Sequence, residues 1–219
     1  MKKILAVIFA LGAAGGVQAQ SPAAVMQRAV KAYADLRSVR AEFRQTITNP
    51  VTGSNSVSRG VLLRKDPDLL AINFIDPKGD RVVSDGQSLW IYLPSSAPGQ
   101  VMRMSAKASG ALALLDPGGT FLTSPSSRFD MSDGGTATLQ GRKTNIVNLV
   151  PKRPNGTFTT AKLWIDAANG YVRQFEVVDI NGLKRVITIT SIRPNAVVAA
   201  PEFRFTPPKN VRVLDSTGN

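Results

Sequence analysis

The chain of 219 residues contains no cysteine and no histidine. Without cysteine there is no disulfide and no thiolate nucleophile. Without histidine there is no Ser-His-Asp triad and no imidazole-ligated metal. An enzyme would have to run on carboxylates or lysine alone. Carboxylates are themselves scarce, 15 Asp and Glu against 27 Lys and Arg, and the clustered ones read as turn residues. Asp66 and Asp68 flank Pro67, and Asp76 and Asp80 flank Pro77-Lys78-Gly79, which is turn chemistry. No acid/base pair stands out. The formal net charge of +12 attracts polyanions. An exported protein rarely meets nucleic acid, which leaves either a plain solvated face or attraction to acidic head groups or an acidic partner.

Export is written in the first residues. Lys2 and Lys3 precede an apolar stretch from Ile4 to Leu11, and Val17-Gln18-Ala19 is a small-x-small cleavage site. The expectation is a secretory signal peptide, residues 1–19, cut after Ala19. The apolar stretch is too short to serve as a membrane anchor. A lysine-rich start and compact core suit a bacterial signal, which places the mature chain, residues 20–219, in the periplasm as one domain. Position 20 is Gln, so no cysteine is available there for a lipid anchor.

The mature chain opens with Ser21 as a helix N-cap and Pro22 at the first helical position. Val25, Met26, Ala29, Val30, Tyr33 and Leu36 recur at helical spacing, which predicts an amphipathic helix over 22–38. The period then changes to two. Strands are expected around 41–47, 57–64, 70–75, 82–93 as a hairpin, and 100–104. Four more lie at 144–151, 159–165, 172–178 and 184–192. Asp85-Gly86 closes the hairpin of Val82–Leu93, and Asp133-Gly134, Asn155-Gly156, Asn169-Gly170 and Asn181-Gly182 mark further tight turns. Phe203 and Phe205 share one face of a short closing strand, ended by Pro207-Pro208. These signals predict one antiparallel meander of about ten strands. A sheet that large must curl, and its apolar concave face needs a cover.

Two covers are available. One is the N-terminal helix. The other is 105–129, the long interruption of the strand pattern, with Leu112, Leu114, Leu115 and Phe121 as its apolar residues. It is either a helical plug or a movable lid. Candidate residues of the apolar wall are Phe43, Leu70, Ile72, Phe74, Leu89, Trp90, Ile91, Met102 and Met104. Leu70, Ile72 and Phe74 have the strong inward claim because Asn73 lies on the opposite register. For Leu89–Leu93, alternation does not decide which set faces inward.

The stretches Val83-Ser84-Asp85-Gly86-Gln87-Ser88-Leu89-Trp90 and Phe203-Arg204-Phe205-Thr206-Pro207-Pro208, with the export signal and the N-terminal helix, resemble the periplasmic outer-membrane lipoprotein carrier family, LolA. The resemblance runs from about Val25 to Val213. It implies a mainly β fold with an α lid: a single curved antiparallel sheet of about ten or eleven strands, forming an unclosed half-barrel. The N-terminal helix and short helices in 105–129 would cover it.

The resemblance also implies a non-enzymatic chaperone without cofactor or metal, a monomer holding lipoprotein acyl chains in its cavity. Its partners would be an inner-membrane lipoprotein-releasing ABC transporter and a LolB-like receptor lipoprotein on the outer membrane. The family pattern has a basic residue and an Arg before the proline after the second strand, and that Arg is thought to latch the lid. Here Arg64-Lys65-Asp66-Pro67 puts Lys65 at the basic position and Asp66 at the Arg position, leaving Arg64 and Lys65 as candidate latches. Alternatives on the same fold are a carrier of another lipid or glycolipid and a module that senses periplasmic lipids or lipoproteins. A carboxylate-based hydrolase is a third, disfavoured by the scattered acids.

Overall fold

The computed structural model describes residues 20–106, 117–154 and 156–217. The helix α1 spans Pro22–Ala34, and the Ser21 side chain caps it by accepting from the Ala24 amide at 3.2 Å. It stops four residues before the expected end. Leu36 lies beyond the helix yet is still buried, so the apolar period outlasts the helical backbone.

Strands β1 (Ser38–Thr48), β2 (Asn55–Lys65), β3 (Leu69–Asp76), β4 (Arg81–Asp85), β5 (Ser88–Tyr92) and β6 (Gln100–Ser105) follow. Two short helices come next, α2 (Pro117–Phe121) and α3 (Pro125–Arg128). Strands β7 (Phe129–Leu139), β8 (Arg142–Pro151), β9 (Phe158–Asp166), β10 (Val172–Asp179), β11 (Lys184–Pro194) and β12 (Arg212–Ser216) complete the fold. All twelve form one unclosed sheet in the order β12-β6-β5-β4-β3-β2-β1-β11-β10-β9-β8-β7, an open half-barrel with helices on one face. The hairpin read from the sequence is there: Val83 faces Trp90 and Ser84 faces Leu89 across its ladder. Gly86 holds φ at +88° in its turn, a conformation that favours glycine. The Asp85 carboxylate accepts from the amides of Gln87 and Ser88.

Three expectations are corrected. Asp133-Gly134 is not a turn but a bulge inside β7, where the register slips between Asp133 and Thr136. Gln140-Gly141, with φ of +50° and +74°, lies between β7 and β8 instead. The Phe203–Phe205 segment is not a strand. Ala200–Phe203 is a 3₁₀ turn, followed by extended chain outside any ladder. The closing strand is β12, and it pairs parallel to β6, so the sheet is not wholly antiparallel.

The inner face carries the main core, built from α1, α2 and inward residues of the sheet. A second, smaller core lies on the outer face. There the C-terminal arm lays Val198, Phe203 and Phe205 over Leu63, Ala71 and Val83. Gly60 in β2 is required by close approach. A Cβ there would sit 2.6 Å from the Asn73 carbonyl oxygen and 3.0 Å from the Phe43 ring.

Candidate functional site: an open trough on the inner face

Side-chain parity sorts the candidates. Phe43, Leu70, Ile72 and Leu89 are buried on the helix-covered face, with Phe74, Ile91 and Met104 partly buried against them. Met102, facing Ile91 across the ladder, shares that face but is 42% exposed. Trp90 does not belong with them. Its ladder partner Val83 is part of the outer core, and its ring lies 5.6 Å from that of Phe205, with the Arg103 guanidinium 5.1 Å away on its surface. The reason is the C-terminal arm, which gives the outer face an apolar cover of its own.

Of the lid residues, Leu112, Leu114 and Leu115 lie outside the described residues. Phe121, fully buried, ends α2 within 5.6–6.2 Å of the rings of Phe129, Phe158 and Phe175. This part of the interruption is thus packed as core. The latch candidates separate as well. Arg64 has the parity of Leu62, facing Leu70 across the ladder on the inner side, and its guanidinium donates to Asp66 at 3.3 Å. Lys65 points the other way and is exposed, so it cannot reach a cover on the inner face.

Gaps in the packing trace a path along this face. A space of about 30 Å³ lies between Tyr33 of α1, Val39, Leu62, Arg64 and Ile192. A gap of about 10 Å³ follows among Phe43, Leu62, Ile72 and Ile189. Edge-to-face rings of Phe43 and Phe74, 5.7 Å apart, separate it from a cavity of about 400 Å³ lined by Gln45, Phe74, Ile91, Leu93 and Arg185. The trough therefore has a cation at each end. Arg64 and Ser56 are eight residues apart on β2, and Ser56 faces Ile47, which faces Arg185. At the rise of a strand that is roughly 26 Å.

Sequence reasoning missed Arg185. It is the second residue of β11, directly after Lys184, and reads as one more surface base. The period-2 signal could have found it, since Ile187 and Ile189 share its inward parity. Burial pulls this guanidinium below its ordinary range, and the charge of Asp179 works against that. A hydrogen-bonded chain fixes it: its Nη1 donates to Gln45 Oε1 at 2.7 Å, and Gln45 Nε2 donates to Ser58 Oγ at 3.0 Å.

Among the described residues the wall of this face is mostly apolar, and the one carboxylate of the large cavity is already engaged. Asp80, on the wall of the large cavity, accepts from the Ser95 amide and hydroxyl at 3.0 and 2.6 Å. A sequence model of the outer membrane lipoprotein carrier protein LolA matches residues 34–206. The chain belongs to the LolA family.

Within that family it is 29% identical over 216 residues to the outer-membrane lipoprotein carrier protein of Serratia proteamaculans, covering 98% of each chain. It is 25% identical over 216 residues to that of Chromobacterium violaceum, again with 98% of each covered. Among solved structures, an uncharacterized conserved protein from Thermus thermophilus superposes with a TM-score of 0.52 at 14% identity, over 87% of this chain and 96% of that one. That likeness speaks for the LolA fold alone. Among the described residues no helix is long and apolar enough to cross a membrane.

Proposed function

We propose that the protein is a periplasmic lipoprotein chaperone that receives acyl chains at the inner membrane and delivers them to the outer membrane. The mature form begins at Gln20, after removal of the signal peptide, and is one domain. It takes cargo from a lipoprotein-releasing ABC transporter and passes it to a LolB-like receptor lipoprotein.

One observation carries this reading: the apolar inner face of a LolA-family sheet is left incompletely packed along a path from Arg64 to Arg185. Each acyl methylene held out of water is worth about 0.8 kcal/mol, so a free lipoprotein does not cross an aqueous compartment unaided. The inner gaps, at about 30 and 10 Å³, are too small for a chain as they stand. Cargo enters by displacing what covers them. Net affinity is then a difference between two burials, modest enough for release without an energy source.

The test is photocrosslinking. A photoreactive residue replacing Phe74 or Ile91 should capture a triacylated lipoprotein and not its unacylated form. Equal capture of both, or of neither, sinks the proposal. Mass spectrometry of ligand extracted from the native protein distinguishes lipoprotein cargo from a free lipid or glycolipid.

A further inference from the structure

The LolA reading accounts for the apolar wall but not for the cation at its wide end. An acyl trough needs no charge, yet the part-buried guanidinium of Arg185 lines the same cavity as Phe74, Ile91 and Leu93, where apolar walls strengthen its attraction for an anion. Arg64, at the narrow end, has Asp66. Arg142 and Arg173 share the buried Asp166. Arg185 has no carboxylate within ion-pair reach among the described residues. Its one side-chain hydrogen bond goes to the neutral Gln45 oxygen, and a guanidinium has five N–H donors in a planar fork that suits carboxylate or phosphate. The other charged wall residue of this cavity, Asp80, has both oxygens engaged by Ser95.

We propose that this cavity binds the anionic head of a single-chain amphiphile, the guanidinium of Arg185 taking the head and the alkyl chain lying on Phe74, Ile91 and Leu93. The inference rests on the trough holding alkyl chains and adds a ligand class that a neutral acyl group does not represent. The cavity's volume of about 400 Å³ falls within the span of small-ligand sites. The roughly 26 Å path is longer than one leaflet of a bilayer, about half of a ~30 Å hydrocarbon core. A chain anchored at Arg185 therefore matches the trough in length, and it passes Phe74 only by displacing the packing that narrows the gaps beyond to about 30 and 10 Å³. Gln45 and Ser58 hold the guanidinium in place before the ligand arrives, which lowers the ordering cost of binding.

The experiment uses residues 20–219 and the uncharged dye Nile red, displaced at neutral pH by dodecanol, laurate or dodecyl phosphate, with inorganic phosphate as the chainless anion. Laurate or dodecyl phosphate should displace the dye at least about tenfold more effectively than dodecanol, the gain expected of one charge-assisted contact. Their ratio tells carboxylate from phosphate. Inorganic phosphate should displace none. In Arg185→Gln the preference should vanish while dodecanol is unaffected. Equal displacement by laurate, dodecyl phosphate and dodecanol in the wild-type protein overturns the anionic site and leaves the alkyl trough standing, whether or not the variant folds. An unchanged preference in a folded Arg185→Gln overturns it as well. Failure of every alkyl ligand overturns both readings together.

Discussion

Two halves of one sheet turn apolar side chains to the same side and finish them differently. On β7–β10, Val147, Leu149, Leu163, Ile165, Val172 and Phe175 have no accessible surface. The helix α1 lies over this half, with Tyr33 edge-on to Tyr171 at 5.8 Å and Arg28 donating to the Ala167 carbonyl. Phe121 closes the aromatic cluster. On β1–β6 the same alternation leaves Phe74 and Ile91 half-buried, Met102 42% exposed and the trough between them. Among the described residues, what differs is the cover, not the strands. One half is a filled core, and the other joins buried Leu70, Ile72 and Leu89 to a partly open wall at Phe74, Ile91 and Met102. Stability and binding can thus sit in different parts of a continuous sheet.

The sharpest way to break this contrast is a pair of truncations. Phe175→Ala should cost about 3–5 kcal/mol, because it opens a cavity in a filled core. Phe74→Ala removes a ring that is only partly buried, so it should cost less than half of that and weaken alkyl-probe binding instead. Denaturant unfolding and dye binding on both variants decide it. Equal destabilisation would mean the trough is ordinary core. Gly60→Ala, which pushes a methyl against Phe43 and the Asn73 carbonyl, should fall between them at about 1–3 kcal/mol. It should also narrow the trough.

The filled half also holds a buried carboxylate paired with two arginines. Asp166 is 1% exposed and accepts from Arg142, from Arg173 at 2.9 Å and from the Ala168 amide at 2.9 Å. Desolvation pushes its carboxyl up. The hydrogen bonds from Arg142, the Ala168 amide and Arg173, with the charge of Arg173, outweigh that and hold it down at about 2 from an ordinary 3.8. A depressed carboxyl stabilises the fold above its unfolded value and stops doing so as pH falls through its folded value. Thermal stability should therefore drop between about pH 4 and pH 2. Asp166→Asn should be less stable at neutral pH and show a shallower drop in that window. An identical slope in both proteins would show that other carboxylates govern the acid limb.

Much of this was legible in the chain. Ser21-Pro22 announces α1, the Asp85-Gly86 hairpin reads straight through, and Leu70, Ile72 and Phe74 point where Asn73 says they should. The misses share a cause, which is that short-range patterns do not know what comes to lie on them. Trp90 alternates as well for either face, and the arm carrying Phe203 and Phe205, more than a hundred residues later, decides the matter. Asp133-Gly134 has turn chemistry, but β8 pairs on both sides of it and makes it a bulge. Arg185 looks like a surface base until its parity with Ile187 and Ile189 is followed through the ladder.

The cover proposed for 105–129 gives the finest comparison and the smallest expected changes in stability. If Leu114 and Leu115, outside the described residues, belong to a displaceable cover, replacing both by polar residues should alter alkyl-probe binding while shifting unfolding by under about 1 kcal/mol. Destabilisation as large as that of Phe175→Ala would make the segment core and remove the displaceable cover. Arg64 and Lys65 then test whether the inner face alone senses that cover. Arg64 borders a cleft with Leu70, Ser84, Ala106 and Gly119, whereas Lys65 stands on the opposite face. Arg64→Gln breaks only a partly exposed pair with Asp66 at 3.3 Å, worth about 0–1 kcal/mol, and should speed probe exchange. Lys65→Gln should change neither stability nor exchange. Stopped-flow release of a fluorescent acyl probe separates them. Faster release from Lys65→Gln, or none from Arg64→Gln, would place the control of the trough somewhere other than the Arg64 end.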